Sequence, residues 1–293
     1  MKISIATTPF WNLPLEKTLE RIADVGYKAV EIVAFRPHGF PYDFDQTSRR
    51  KLKQFLASRG LEVAALAQGA FWGNAEPPNL NAASFLAKEQ KEALEYSKAC
   101  LEFAAALEAR ILLFQPGRIV EGDIGKNPNQ REEAWRSVRG KLHELGDVAH
   151  GLDLLIAVEA GPSAASLVPT PIEELKMISE VDSRNVRGSL NIGRLNLLRS
   201  DASIESYIAK TKDVIVHVRV SDNDGKTESR LPVGMGSVDW PRTLRALKAT
   251  GYNGYLSVDL SGVVHGTRDS FRESYCLTAR ENLERTLLDI EAR

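Results

Sequence analysis

The chain has 293 residues, of which 43% are hydrophobic and 26% charged, and its formal net charge at pH 7 is -1. This length and composition suit one large soluble α/β domain better than two small ones. The near-neutral charge argues against a nucleic-acid partner and against an anionic membrane surface. The first residues contain no long apolar run, so neither a signal peptide nor a membrane span is expected. The two cysteines lack CxxC spacing, which favours buried, reduced thiols in a cytoplasmic protein.

Short apolar segments alternate with longer amphipathic segments along the whole chain. This alternation is typical of repeated βα units, in which helices cover a parallel sheet. No linker rich in Pro, Gly or Ser divides the chain, so we predict an α/β fold with one (β/α)8 TIM barrel domain over residues 1–293. The eight predicted strands are Lys2–Ala6, Ala29–Ala34, Glu62–Gln68, Arg110–Gln115, Leu154–Glu159, Val186–Asn191, Val214–Val220 and Gly254–Asp259.

Helix ends are also marked in the sequence. Thr170-Pro171-Ile172-Glu173 has a capping hydroxyl, a proline at the first helical position and a capping-box glutamate, which predicts a helix start. Glycines that follow a helical pattern and precede a strand are expected to adopt the left-handed conformation that ends a helix. These glycines are Gly26, Gly60, Gly151 and Gly251.

Polar residues end four consecutive predicted strands: Glu159, Asn191, Arg219 and Asp259. The active site of a TIM barrel lies at the C-terminal ends of its strands, so these side chains are expected to converge there. Long segments follow several strands and are candidate binding loops. These segments are Phe35–Asp45, Gly69–Asn81, Pro116–Asn129, Gly161–Pro169 and Ser221–Gly236.

Three motifs occur in order in the last third of the chain. They are His217-Val-Arg-Val-Ser-Asp222, then Leu231-Pro-Val-Gly234-Met-Gly236-Ser-Val-Asp239-Trp240, then Gly251-Tyr252-Asn-Gly254-Tyr-Leu-Ser-Val-Asp259. Their order and spacing resemble the xylose-isomerase-like superfamily of sugar isomerases and epimerases, which also includes endonuclease IV. Weaker matches extend over the barrel at Val30-Glu31-Ile32, Val158-Glu159 and Asn191-Ile-Gly-Arg194.

The resemblance implies a particular metal chemistry, from which this sequence departs. Such enzymes usually hold a divalent cation with Glu, Asp, His and Glu from strands 5 to 8, and two of the carboxylates move protons. The matching positions here are Glu159, Asn191, Arg219 and Asp259, of which only the first is the expected residue. Arginine has no lone pair for a metal and places a permanent cation there. No cofactor is therefore expected; the alternative is a divalent metal (Mn, Mg, Zn or Co) held by Glu159, Asn191, His217 and Asp259.

The expected activity is that of a sugar isomerase or epimerase. It would abstract a proton next to a carbonyl of a small polyhydroxylated substrate such as a ketose or inosose. Glu159 or Asp259 is the predicted base, and Arg219 with Arg194 is predicted to stabilise the enolate oxygen. The residues predicted to contact substrate are Arg194, Asn191, His217, Glu31, His38, Trp72 and Gln115.

Alternatives remain at this stage. Glu159 and Asp259 could only pair with Arg219, which would leave a binding or regulatory barrel without activity. A related lyase or dehydratase would use the same groups. Glu31 could form a salt bridge on the helix side, and His38 could be a solvated loop residue. Endonuclease activity is disfavoured because it relies on a histidine-rich metal cluster; homo-oligomerisation is left open.

Overall fold

The computed structural model describes residues 1–68, 80–119, 129–161, 163–198, 202–262 and 269–292. Eight parallel strands form a closed barrel, in which the last strand pairs with the first. The predicted α/β barrel is therefore confirmed, and each predicted strand end lies within one residue of the observed end. The strands are β1 (Lys2–Ala6), β2 (Ala29–Val33), β3 (Glu62–Ala67), β4 (Ile111–Phe114), β5 (Leu155–Glu159), β6 (Val186–Asn191), β7 (Ile215–Val220) and β8 (Tyr255–Val258).

Helices cover the outside of the barrel because each has one apolar face. In the first helix, Leu15, Leu19 and Ile22 recur at helical spacing and are buried. The helices are α1 (Leu15–Asp24), α2 (Gln46–Ser58), α3 (Ala87–Ala106), α4 (Gln130–Gly151), α5 (Pro171–Val181), α6 (Ile192–Leu195), α7 (Ile204–Thr211), α8 (Trp240–Ala249) and α9 (Asp269–Glu291). Among the described residues, no helix is long and apolar enough to cross a membrane.

Most of the predicted helix ends are observed. Thr170 caps α5 by accepting a hydrogen bond from the Glu173 N–H at 3.3 Å. Gly26, Gly60 and Gly251 have φ values of +100°, +64° and +80°. The prediction for the fourth glycine, Gly151, was wrong.

The helix before β5 runs further than the sequence pattern indicated. Gly151 is the last residue of α4, and Asp153, two residues on, takes the positive φ of +56°. Aspartate tolerates the left-handed region better than most residues. The turn into β5 is therefore made at Asp153, and the helix extends through Gly151.

Polar side chains from β2 and β7 meet inside the barrel. His217 on β7 lies 2.7 Å from Glu31 on β2, although these strands are not neighbours in the sheet. Both side chains therefore point into the barrel. The next residue along each strand, Ile32 on β2 and Val218 on β7, points to the opposite face and is buried in the main apolar core, which also contains helix residues. The interior therefore holds these polar side chains together with a small apolar cluster that includes Val33 and Ala157.

The two cysteines, Cys100 and Cys276, are buried free thiols, as predicted. Burial raises the pKa of both. Neither thiol therefore has the ionised character of a reactive cysteine at neutral pH.

Candidate active site

Three carboxylates, on β2, on β5 and directly after β8, surround one arginine. Arg219 Nε lies 3.0 Å from Oε1 of Glu31, and Arg219 Nη2 donates to the same oxygen. Arg219 Nη1 lies 3.5 Å from Glu159 Oε1 and 3.8 Å from Asp259 Oδ2. All four side chains are at most 3% exposed. The structure therefore brings the three predicted catalytic residues together, with Glu31 as a fourth member.

The cluster fixes the charges of its members. Burial alone would raise the pKa of Glu31, but the charge of Arg219 and the hydrogen bond from His217 lower it to about 2. Burial likewise opposes ionisation of Asp259, yet Arg230 and Arg219 hold its pKa below the ordinary value. Burial would lower the pKa of Arg219, and the three carboxylates raise it instead. Glu31, Asp259 and Arg219 are thus ionised at neutral pH.

A second arginine also binds Glu159. Arg194 on α6 donates from Nη1 to Glu159 Oε1 at 2.7 Å and to the carbonyl of Ala160 at 2.9 Å. Asn191 caps this short helix, because its Oδ1 accepts from the Arg194 backbone N–H at 3.2 Å. Gln115 Nε2 adds a hydrogen bond to Glu159 Oε1 at 3.1 Å. Asn191 thus positions the arginine, and Gln115 holds the carboxylate.

The two oxygens of Glu159 have different surroundings. Oε1 accepts the hydrogen bonds from Arg194 and Gln115. Oε2 is buried and has no hydrogen-bond partner among the described residues. A buried carboxylate oxygen without a partner is costly and stands out in a site.

A third arginine was missed by sequence reasoning. Arg230 donates from Nη1 to Asp259 Oδ2 at 2.7 Å and to Ser261 Oγ. The other oxygen of Asp259 accepts from the Ser261 N–H at 3.1 Å and from the Thr8 hydroxyl at 3.4 Å. Arg230 lies in the loop that follows β7, which the sequence identified as a candidate binding loop. No residue pattern within that loop distinguished Arg230 from its neighbours.

Asp222 organises the same loop. Its carboxylate accepts from the backbone N–H of Gly234 at 2.9 Å and of Val238 at 3.2 Å, and from Trp240 Nε1 at 2.8 Å. Gly234 has a φ of +85°, and a Cβ on Gly236 would lie 2.3 Å from Asp222 Oδ1. The Asp, Gly-x-Gly and Trp motif therefore forms the frame of the loop that carries Arg230.

A buried glutamate outside the predicted set anchors the strand ends. Glu174 on α5 accepts from the Ala160 N–H at 3.0 Å and from the Ser189 N–H at 3.2 Å. Burial raises the pKa of Glu174 well above the ordinary value, and the nearby charge of Glu159 adds to this effect. Glu174 therefore fixes the ends of β5 and β6 beside Glu159. Its helical position gave no signal in the sequence beyond that of an ordinary solvent-facing glutamate.

The predicted histidines are both buried. His217 lies beneath Arg219 and is fully buried, with Nε2 bound to Glu31. His38 is 2% exposed; its Nδ1 lies 2.9 Å from Thr7 Oγ1 and its Nε2 lies 3.3 Å from Thr18 Oγ1. Burial lowers the pKa of His38 to about 4, so this ring is neutral at pH 7 and is not a solvated loop residue. The helix-side position considered for Glu31 is likewise wrong. Trp72 lies outside the described residues.

A cavity of about 530 Å³ opens beside Glu159, between the ends of β5 and β6 and the helices α5 and α6. Its volume suits a small sugar-sized ligand. Both apolar and charged side chains line it. Its polar lining includes Glu159, Asn191, Arg194, Glu173, Glu174 and Glu228.

The residues at the expected metal position do not fit a divalent cation. Arg219 offers only donors, and its guanidinium lies between the carboxylates that would bind the ion. The side-chain oxygen of Asn191, Oδ1, accepts from the Arg194 backbone N–H, and His217 Nε2 is bound to Glu31. In the part of the chain that the structure describes, no three His, Cys, Asp or Glu residues are arranged to hold a metal. The chemistry of the site therefore has to be derived from its own side chains.

Comparisons with known proteins agree with this architecture. The family model for the xylose isomerase-like TIM barrel matches residues 19–275. The chain is 23% identical over 264 residues to fructoselysine 3-epimerase of Escherichia coli O157:H7, covering 89% of this chain and 90% of that protein. It is 25% identical over 261 residues to the uncharacterized protein MJ1311 of Methanocaldococcus jannaschii, covering 88% and 83%.

Solved structures of similar proteins share the fold over the whole chain. A D-tagatose 3-epimerase-like protein has a TM-score of 0.81 at 22% identity, covering 100% of this chain and 99% of the other. A D-psicose 3-epimerase crystallised in the presence of D-fructose has a TM-score of 0.80 at 15% identity, covering 99% of each chain. At these identities, the likeness establishes the common barrel.

Proposed function

The chain belongs to the xylose isomerase-like TIM barrel family, and we propose that it is a sugar isomerase or epimerase that works without a metal. The reaction begins when Glu159 removes a proton next to a carbonyl of a small polyhydroxylated substrate. The observation that carries this proposal is the unpartnered Oε2 of Glu159, on a residue that lines a sugar-sized cavity. The names of similar proteins, which include several ketose 3-epimerases, agree with it.

Glu159 is better placed than Asp259 to accept the proton. Both oxygens of Asp259 already accept hydrogen bonds, and its pKa is held below the ordinary value. A general base must reach the proton that it removes, and its basicity should approach the working pH. Glu159 lines the cavity and has one oxygen that accepts no hydrogen bond among the described residues, whereas both oxygens of Asp259 already accept. We therefore assign the removal of the proton to Glu159, which can return it to the adjacent carbon on the same face in an isomerisation. An epimerisation needs a second proton donor on the opposite face of the substrate.

Arg219 and Arg194 supply the electrostatic part of the mechanism. As the proton leaves, negative charge develops on the carbonyl oxygen of the substrate. Both guanidinium groups already contact Glu159, so an oxygen bound beside this carboxylate lies close to two fixed cations. Fixed donors in a site from which water is excluded stabilise such an oxyanion, and the loss of one typically costs roughly 3–4 kcal/mol.

A binding barrel without activity is the competing function. The observation that favours it is the ion pairing of all three carboxylates in the cluster. The two functions differ in proton exchange, because only an enzyme exchanges the proton next to the carbonyl with solvent.

The experiment incubates the protein in D2O with D-fructose, D-tagatose, D-psicose or L-ribulose and follows deuterium incorporation next to the carbonyl by NMR. We expect incorporation into at least one ketose, and its loss in Glu159→Gln. The matched control is Glu16→Gln, at an exposed position on α1. Exchange that persists in Glu159→Gln would remove this residue from the mechanism. Binding of a ketose without exchange would favour the binding barrel.

A further inference from the structure

Two arginines at the barrel mouth hold one exposed carboxylate. Oε1 of Glu228 accepts from Arg194 Nε at 3.3 Å, from Arg230 Nε at 3.1 Å and from Arg230 Nη2 at 2.6 Å. The arginine side chains are 12% and 13% exposed, and that of Glu228 is 31% exposed. The three residues therefore form the outer layer of the site, above the buried cluster.

Each of the two arginines is also held by a carboxylate of the buried cluster. Arg194 Nη1 is bound to Glu159, and Arg230 Nη1 is bound to Asp259. Their Nε–H groups, which come from different elements, both donate to the same oxygen of Glu228. Planar guanidinium groups held in this way are well suited to carboxylate or phosphate oxygens. The outer layer is therefore a preformed anion site, and the protein's own Glu228 carboxylate occupies it.

The charges of the cluster balance without Glu228. Beneath it, three carboxylates face three guanidinium groups, so Glu228 is a fourth anion that the mouth accommodates. A ligand carboxylate in its place would leave the local charge unchanged, and a phosphate group would add at most about one negative charge. The balanced groups are Glu31, Glu159, Asp259, Arg194, Arg219 and Arg230.

Glu228 can leave this position without disturbing the loop. Residues 224–228 are exposed, whereas Asp222 and Leu231 at the base pair with each other through two backbone hydrogen bonds of 2.8 Å. Glu228 is 31% exposed and can be hydrated when it leaves, whereas Arg194 and Arg230 are 12% and 13% exposed and need another acceptor in its place. The anionic group of a ligand supplies that acceptor. Glu228 also lines the cavity that contains Glu159. An anion that replaced it would belong to a ligand bound beside the catalytic base.

We propose that the substrate is an anionic sugar, whose carboxylate or phosphate group binds Arg194 and Arg230 in place of Glu228. The proposal rests on the proposed function for its sugar part, while the anion site stands on the arginine pair itself. Glu228 then acts as an internal competitor that occupies the site until the substrate arrives.

The test compares three probes that differ at one end: D-fructose, D-fructuronate with a carboxylate at C6, and D-fructose 6-phosphate. Binding is measured by calorimetry on wild type, Glu228→Gln and Arg230→Gln. We expect at least one anionic probe to bind wild type about tenfold or more tightly than D-fructose. The Glu228→Gln change raises the ratio of anionic to neutral affinity several-fold, and Arg230→Gln brings the ratio close to one. The probe that binds more tightly identifies the anionic group as carboxylate or phosphate.

Equal affinity for neutral and anionic probes in both wild type and Glu228→Gln would overturn the proposal, and it would do so even if Arg230→Gln failed to fold. The same samples, assayed for deuterium exchange, separate this proposal from the proposed function. A preference for anions without any exchange would leave the anion site in place and remove the catalytic role. Exchange with D-fructose, without a preference for anionic probes, would support the catalytic role and remove the anion site.

Discussion

Arg219 and Glu31 face each other across the barrel, on β7 and β2, and two hydrogen bonds from the guanidinium reach one carboxylate oxygen. This pair fixes a cation at the position where the family resemblance implied a metal. It also links the catalytic end of the barrel to the interior, since Glu31 is bound from below by His217. Arg219 therefore has a structural role in addition to the chemical role that we propose for it.

Substitutions of Arg219 separate these two roles. Arg219→Met leaves Glu31 buried without its cation, and we expect the free energy of unfolding to fall by roughly 3–5 kcal/mol. Arg219→Lys retains the charge, so much of the stability is retained, but a point charge cannot contact Glu31 and the substrate oxygen together. We expect both variants to lose exchange activity. Urea denaturation and the deuterium assay measure the two effects. Full activity in Arg219→Lys would show that only the charge matters.

The stability of the protein should depend on the ionisation of Glu31. Its pKa is lowered from 4.5 to about 2 in the folded protein, so the folded state favours the ionised carboxylate. This contribution is fully present above pH 4.5 and is lost as the pH falls from about 4.5 to 2. Asp259 acts in the same direction. Urea denaturation across this range is expected to show a loss of a few kcal/mol.

The control for this pH effect is Glu31→Gln, which removes one titrating group. Its free energy of unfolding should be lower at neutral pH and should fall less steeply between pH 4.5 and 2. An unchanged slope in this variant would mean that other carboxylates account for the acid sensitivity.

Asp222 should be important for stability although it does not contact the cavity. Its replacement by alanine leaves the N–H groups of Gly234, Val238 and Trp240 without their acceptor, and we expect a loss of roughly 2–4 kcal/mol. The matched control is Asp224→Ala in the exposed part of the same loop, for which less than about 1 kcal/mol is expected. Thermal unfolding of the two variants makes the comparison. Equal effects would argue against Asp222 as the frame of the loop.

The sequence was sufficient to predict the barrel because its signals are local. Apolar segments define the strands, and glycines or capping residues bound the helices. The site residues at strand ends, such as Glu159 and Asp259, follow from the geometry common to all parallel barrels. The misplaced turn at Gly151 arose because either Gly151 or Asp153, two residues apart, could take the left-handed conformation that follows a helix.

The contacts within the site could not be predicted in the same way. The pairing of Glu31 with Arg219 joins residues 188 positions apart, and strand order alone does not show which side chains meet across a barrel. Arg230 acts from a loop whose path depends on Asp222 and on Gly234. The burial of His38 depends on its position against Thr7 and Thr18, which lie in other elements.

The central claim is that Glu159 moves a proton in a site where Arg219 takes the place of a metal. The most direct measurement is deuterium exchange into a ketose substrate by protein dialysed against EDTA, with elemental analysis of the same sample. We predict that exchange continues at the rate of the untreated protein, with far less than one equivalent of Mn, Mg, Zn or Co. Loss of exchange on EDTA treatment, with recovery when one of these ions is added back, would contradict the account.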